Sequence, residues 1–383
     1  MGRNIHWLLL LLLLGPASAL PAQIAVSAND GKQKSADAPN EALTPDSIAI
    51  LDLRTPVRLL ATLYAPASLI GPPASVALAR DSSFAIVTAA QQPGAGDTPV
   101  PADIVTVLDL ADPSRPRVVQ TLHAGAGASG VAINKAGTLA LVVNAGADSV
   151  SVFAISARRL SASNTLALPP KSRPVDVAFS GDSHSAYVVA QGAGVLVQLS
   201  VNGQQVTAAQ NIALGVQPYS LALDTTKQMA YVSNLGGRDP AAAPGPKLGT
   251  IAIVDLHAGR MLAQVDVGVT PEHLGLSPSG RYLQATVING SNAPATSPNH
   301  HEHGTMVIFR VRGTALEPLT QIDTGGWCQG AVWSDDEKHL FLQCAARKQI
   351  EVYRFDGRRL TAEPGAAVQL DARPGAIATA RSR

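Results

Sequence analysis

Three groupings of reactive side chains stand out in this 383-residue chain. The densest is Asn299-His300-His301-Glu302-His303. Imidazoles bind Zn, Cu and Ni well, and Glu302 adds an oxygen donor. In an extended segment His301 and His303 share a side, whereas in a helical turn His300 and His303 do. His300, His301 and His303 are therefore the candidate ligands for a divalent metal, the only cofactor class that the residues suggest. The second grouping is the adjacent pair Glu272 and His273. A carboxylate and an imidazole supply a general base and a group that positions water or metal, as hydrolysis requires. In an extended strand the two point to opposite faces, so one of them can face a channel. The third is Cys328 and Cys344, whose chemistry depends on where the fold puts them.

Other chemistries leave no trace. There is no glycine-rich phosphate loop, nucleophile elbow, paired-histidine helix or Cys-x-x-Cys-His haem site. A net charge of +1 and an aromatic content of 4% carry no nucleic-acid footprint.

The elements that position these residues are short strands that return along the chain. Apolar strands begin at Ile48, Ile104, Val150, Leu196, Ile251, Met306 and Ile350. A period of about 50 residues built from short β segments predicts an all-β, seven-bladed propeller with four-stranded blades. Before each of these strands lies a hairpin, such as Pro174–Ser180 followed by Ala186–Ala190. The first slot of the inner strand and the last slot of the second strand pair off as Pro73 and Ala89, Ala128 and Asn144, Pro174 and Ala190, Pro218 and Asn234, Pro271 and Val287, Cys328 and Cys344. A constant hairpin length places the members of each pair opposite each other, which predicts a disulfide between Cys328 and Cys344.

The same register gathers the inner-strand starts at one end of the axis. Asp176, Tyr219 and Gln329, with Glu272 and His273, are the reactive groups there, and Asn144 and Asn234 hold the opposed slots. These are the candidate ligand-binding residues at the channel mouth. Joining loops between the second and third strands are long in four blades, at Asp30 to Ser47, Ala90 to Asp103, Leu235 to Thr250 and Ile288 to Thr305. Because those blades are neighbours in pairs, the loops are expected to form two walls around a cleft over the mouth.

Ala186-Tyr187-Val188-Val189-Ala190 and Ala230-Tyr231-Val232-Ser233-Asn234 resemble the YVTN-type propeller repeat, and the resemblance runs through nearly all of the chain after its leader. It implies membership of the YncE-like group of exported propellers, which has no single activity. The more distant lactonase-like propellers hydrolyse a cyclic ester with charged residues at the channel mouth, a role that Glu272 and His273 would fill here. The last blade reads as split: Pro374 to Ala380 supplies its inner strand, and Ile24 to Ser27, Ile48 to Leu53 and Arg58 to Ala65 supply the rest. One C-terminal strand then closes the ring on the N-terminal strands and removes two exposed edges.

Residues 1–22 read as a secretory signal. One arginine precedes the leucine run, and small residues allow cleavage after Ala19 or Ala22. The run is shorter than the roughly 20 apolar residues of a membrane span, so none is expected in the mature chain. Residues 23–383 then form one propeller domain, periplasmic or secreted and monomeric. The expected function is to bind or scaffold a protein or small ligand at the channel mouth. The alternatives are a lactonase-like hydrolase or a subunit of a periplasmic redox complex.

Overall fold

The computed structural model describes residues 22–34, 40–69, 71–236 and 247–381, without the side chain of Asp97. Cleavage positions before Ala22, and most of the blade-four loop, lie outside the described residues.

Seven antiparallel sheets stand around an axis, each with its strands in order from the inside outward. Blade two, for example, comprises Ala128–Ile133, Leu139–Asn144, Ser149–Ser156 and Arg159–Ala167. Its second strand is buried along its whole length, whereas its outer strand is mostly exposed. A blade is pressed on both faces by its neighbours, so inner strands are apolar on both sides and only outer strands alternate. The core accordingly divides into seven apolar layers, one for each interface between blades. Leu141, Val143 and Val152 of blade two meet Val177, Val188 and Leu199 of blade three in one such layer. Ile50 of blade seven meets Val76 and Leu108 of blade one in another.

The predicted ring closure is present. Arg373–Thr379 pairs antiparallel with Ile24–Asp30, which continues into Ser47–Asp52 and Arg58–Tyr64. Blade six departs from the simple plan, because its outer strand is broken into Leu360–Ala362 and Val368–Gln369 around a turn at Pro364–Ala366. Proline cannot donate to a ladder, so an outer edge is where such a break is tolerated.

Five of the six expected hairpin rungs are Cα partners, among them Cys328 opposite Cys344 and Ala128 opposite Asn144. In all five the register slips by one residue just past the rung. Such a bulge takes the next residue out of the ladder and re-aims its side chain. Blade one differs, since its inner strand is only Val76–Leu78 and begins after a turn closed by Ser75 N–H donating to Pro72 O at 3.0 Å.

The expected loop from Ala90 to Asp103 is largely strand. Phe84–Pro93 and Pro99–Asp109 stay paired past a bulge, out to Pro93 opposite Pro99. Its Gly and Pro residues occupy the tip and margins of a long hairpin rather than an irregular wall.

Candidate functional site: the axial channel and its two ends

Where the inner strands begin, the candidate residues mostly hold the ring together. Asp176 is buried, and its two carboxylate oxygens accept from Val177 N at 2.7 Å and from Leu221 N of blade four at 2.8 Å. Ser220 holds the same slot in blade four and accepts Leu274 N of blade five at 3.1 Å. His273 repeats the pattern, its Nδ1 accepting Ala331 N of blade six at 3.3 Å. The slot two residues after the rung therefore links each of these blades to the next. Asn144 is fully buried; it donates to Ser149 and Ser151 Oγ at 3.0 Å each and accepts Gly125 N at 3.1 Å. Asn234 is buried too and donates to Thr250 Oγ1 at 3.0 Å, while its Oδ1 finds no partner among the described residues. Gln329 is buried beside Gly375 of the closing strand.

The bulged slots turn toward the axis. There the Tyr219 hydroxyl hydrogen-bonds the Glu272 carboxylate, whose buried Oε2 finds no other partner among the described residues. Burial disfavours the Glu272 anion and pushes its pKa up to about 7, with the Tyr219 bond opposing it. Burial, and then the negative field of Glu272, hold the Tyr219 hydroxyl well above its ordinary range. Pro72, Pro73 and Ala74 of blade one reach Val175, Asp176, Tyr219 and Ser220 of blades three and four, with no water-sized space between them. Contact across the ring means that the Pro72-Pro73 turn stoppers the channel at this end.

The loops around this end knit the closure. Arg373 is 4% exposed, and it donates to Ala345 O at 2.7 Å, to Gln33 O at 3.1 Å and to the Glu41 carboxylate. Its guanidinium lies 5.7 Å from the centre of the Trp327 ring. Lys348 bonds Glu41 at 2.6 Å, and that hydrogen bond leads the effects that hold the Glu41 carboxyl below its usual range. Lys32 and Gln92, from the walls of blades seven and one, both donate to Ala67 O. The blade-five loop leans on blade six, with Trp327 N donating to Ser291 Oγ at 2.9 Å.

Within that loop the histidines are dispersed. His300 Nδ1 bonds Ala293 O at 2.8 Å and His303 Nδ1 bonds Thr324 O at 3.1 Å, while His301 is exposed. Among the described residues, the one three-residue grouping with ligand atoms in mutual reach is Cys328, Cys344 and Glu351. Its two sulfurs are joined as the expected disulfide.

The opposite end of the axis is open, which the sequence reading missed. Where the inner strands finish, the first-hairpin turns of the blades surround a cavity of about 830 Å³. Its wall includes Phe179, Leu221 and Leu276, and its charged groups are Arg80, Lys135, Asp224, Lys227, Asp335 and Arg381. Four of these are paired. Lys227 bonds Asp224 at 2.7 Å, and Arg381 bonds Asp335 at 3.3 Å. The side chains of Arg80 and Lys135 are exposed and have no carboxylate partner among the described residues. The funnel narrows to a throat of about 30 Å³ lined by His273, Ala331, Trp333 and Ile377. The one signal legible for this end was the recurrence of the hairpin turns, which in the structure carry a positive φ nine residues past the first inner slot at Ser82, Gly137, Ser183, Gly280 and Glu337, and one residue later at Gln228.

No family model and no curated relative matches the chain. Solved structures do match in fold. A Bacteroides uniformis protein assigned as a 6-phosphogluconolactonase is 16% identical over 94% of this chain and 99% of its own, with a TM-score of 0.70. The periplasmic gluconolactonase of Pseudomonas aeruginosa is 15% identical over 95% and 100%, with a TM-score of 0.69. The dihydro-heme d1 dehydrogenase NirN is 14% identical over 95% and 76%, with a TM-score of 0.61. Identities this low carry the propeller architecture, and propellers host unrelated activities.

Proposed function

We propose that this chain is an exported, monomeric binding propeller of the YVTN-repeat type, whose funnel receives a small ligand carrying a carboxylate or phosphate. The observation that supports it best is the asymmetry of the axis: one end is stoppered by Pro72-Pro73, and the other opens into about 830 Å³ lined in part by Arg80 and Lys135, which have no carboxylate partner among the described residues. A cavity of this size matches small-molecule sites. Cations inside a concave rim raise the local concentration of anions. The Cys328–Cys344 disulfide suits an oxidising compartment outside the cytoplasm. Calorimetric titration of succinate tests this reading. Binding to the wild type should weaken about tenfold or more in Arg80→Ala/Lys135→Ala, a loss of at least roughly 1.4 kcal/mol. Equal affinity in the variant defeats the reading.

A second reading, hydrolysis of a sugar lactone, is favoured by Glu272, because a carboxyl that titrates at about 7 is tuned for proton transfer at neutral pH. His273 at the throat would stand next to the reacting group. Turnover of 6-phosphogluconolactone that disappears in Glu272→Gln and His273→Ala, with folding retained, would establish this chemistry over simple binding. Turnover that is absent, or that persists in both variants, removes it.

A further inference from the structure

The funnel is not a closed cup. A second cavity of about 720 Å³ lies between blades two and three, beyond the funnel rim. Asn134, Lys135 and Gly181 line both spaces, so the funnel continues outward as a radial groove. The groove runs past Asp182, Ser183 and His184 on one side and Ala136 on the other, to Gly203 and Gln204 at the outer turn of blade three. A ligand confined to the funnel leaves this groove unused. A ligand with an elongated tail fills both.

The groove's chemistry narrows the kind of tail. Its lining holds no Phe, Tyr or Trp, the large rings on which a sugar face stacks best, and its one ring is the small, polar imidazole of His184. Its polar groups are the His184 imidazole, the Ser183 hydroxyl, which already accepts Lys135 N at 3.3 Å, and the Asn134 and Thr138 side chains, which bond each other at 3.1 Å, alongside two glycines that let a chain approach the backbone. Asp182 is already engaged by Ser180 Oγ at 2.6 Å and His184 N at 3.0 Å, and these bonds hold its carboxyl below the usual range. Lys135 stands at the junction, and its ammonium has no carboxylate partner among the described residues. Spaced polar groups, backbone access and a cation at the junction fit an extended acidic peptide.

We propose that the natural ligand is an extended acidic peptide segment, with a carboxylate in the funnel and the following residues in the groove between blades two and three. This rests on the funnel reading, and the experiment separates the two. The probe is a fluorescein-labelled hexapeptide of alternating alanine and glutamate, measured by anisotropy beside calorimetry with succinate. The groove is blocked by Ala136→Trp and, separately, Gln204→Trp, both exposed positions outside the funnel. The hexapeptide should bind the wild type about tenfold more tightly than succinate and lose that advantage in both variants, while succinate affinity stays unchanged. A hexapeptide no tighter than succinate, or indifferent to both tryptophans, overturns the groove and leaves the funnel standing. Failure of both probes to bind overturns the funnel as well. Groove-dependent binding of an acidic oligosaccharide in place of the peptide overturns the peptide assignment.

Discussion

Glu272 and Arg373 are both ionisable groups held in poorly solvated surroundings, and they respond to loss in opposite ways. Glu272 has a folded pKa of about 7 against an ordinary value of 4.5. The unfolded chain therefore releases this proton first as pH rises, and its stabilising contribution is lost between roughly pH 4.5 and 7. Glu272→Gln should flatten the decline of melting temperature over that window and leave the protein more stable at pH 8, by up to roughly 3 kcal/mol. A melting profile unchanged by the substitution would mean that the carboxyl is solvated. Arg373 carries its charge into a nearly closed site and is answered there by Glu41 and two carbonyls. Removing it strands those acceptors and uncovers Trp327, so Arg373→Ala should cost about 2–4 kcal/mol in chemical denaturation. The sequence singled out Glu272 but not Arg373. Adjacency in a strand showed that Glu272 can face the axis, whereas Arg373 gains its meaning only from Gln33 and Glu41, more than 330 positions away.

At the scale of elements, the hairpin rung was legible because it is local. A hairpin of constant length sets its own pairing, so the Cys328–Cys344 bond followed from counting. Reducing it, or replacing both cysteines by serine, should lower stability by about 3 kcal/mol at most, since the closed loop is short. The closing strand was legible as well. Its pairing with Ile24–Asp30 places Ala376, Ile377 and Ala378 in the apolar layers on both sides of blade seven. Deletion of residues 374–383 should therefore abolish the cooperative melt followed by circular dichroism, not merely fray a tail. A melting temperature within a few degrees of wild type would contradict this. The Pro72-Pro73 stopper and the long hairpin of blade one were not legible. The stopper depends on which blades lie across the ring, and the hairpin on contacts with Ala67, Leu69 and the Gly127 turn of blade two, and no repeat pattern within one blade encodes either. Bulges past the rung were hidden for a different reason: the inner strands are apolar on both faces, so an extra residue breaks no visible alternation.

For the whole molecule, the repeat located two ends of an axis and gave no means of ranking them. The reactive residue types at the strand starts favoured that end, yet Asp176 and His273 spend their acceptors on the amides of the next blade. Polar side chains gathered at a channel mouth read alike whether they close a ring or receive a ligand; only the occupied hydrogen bonds distinguish the two. The open end carries its charges on hairpin turns and on the strand ends of blade seven, and Arg80 and Lys135 look like ordinary surface cations until six turns and those strand ends are brought around one cavity. Binding there should weaken steeply as ionic strength rises from about 0.01 to 0.5 M, because exposed cations are screened over that range. The most direct measurement is a crystal structure of the protein soaked with succinate. The funnel account predicts the dicarboxylate beside Arg80 and Lys135 where the inner strands finish. A dicarboxylate at the other end, among Tyr219, Gln329 and the blade-five loop, would contradict it.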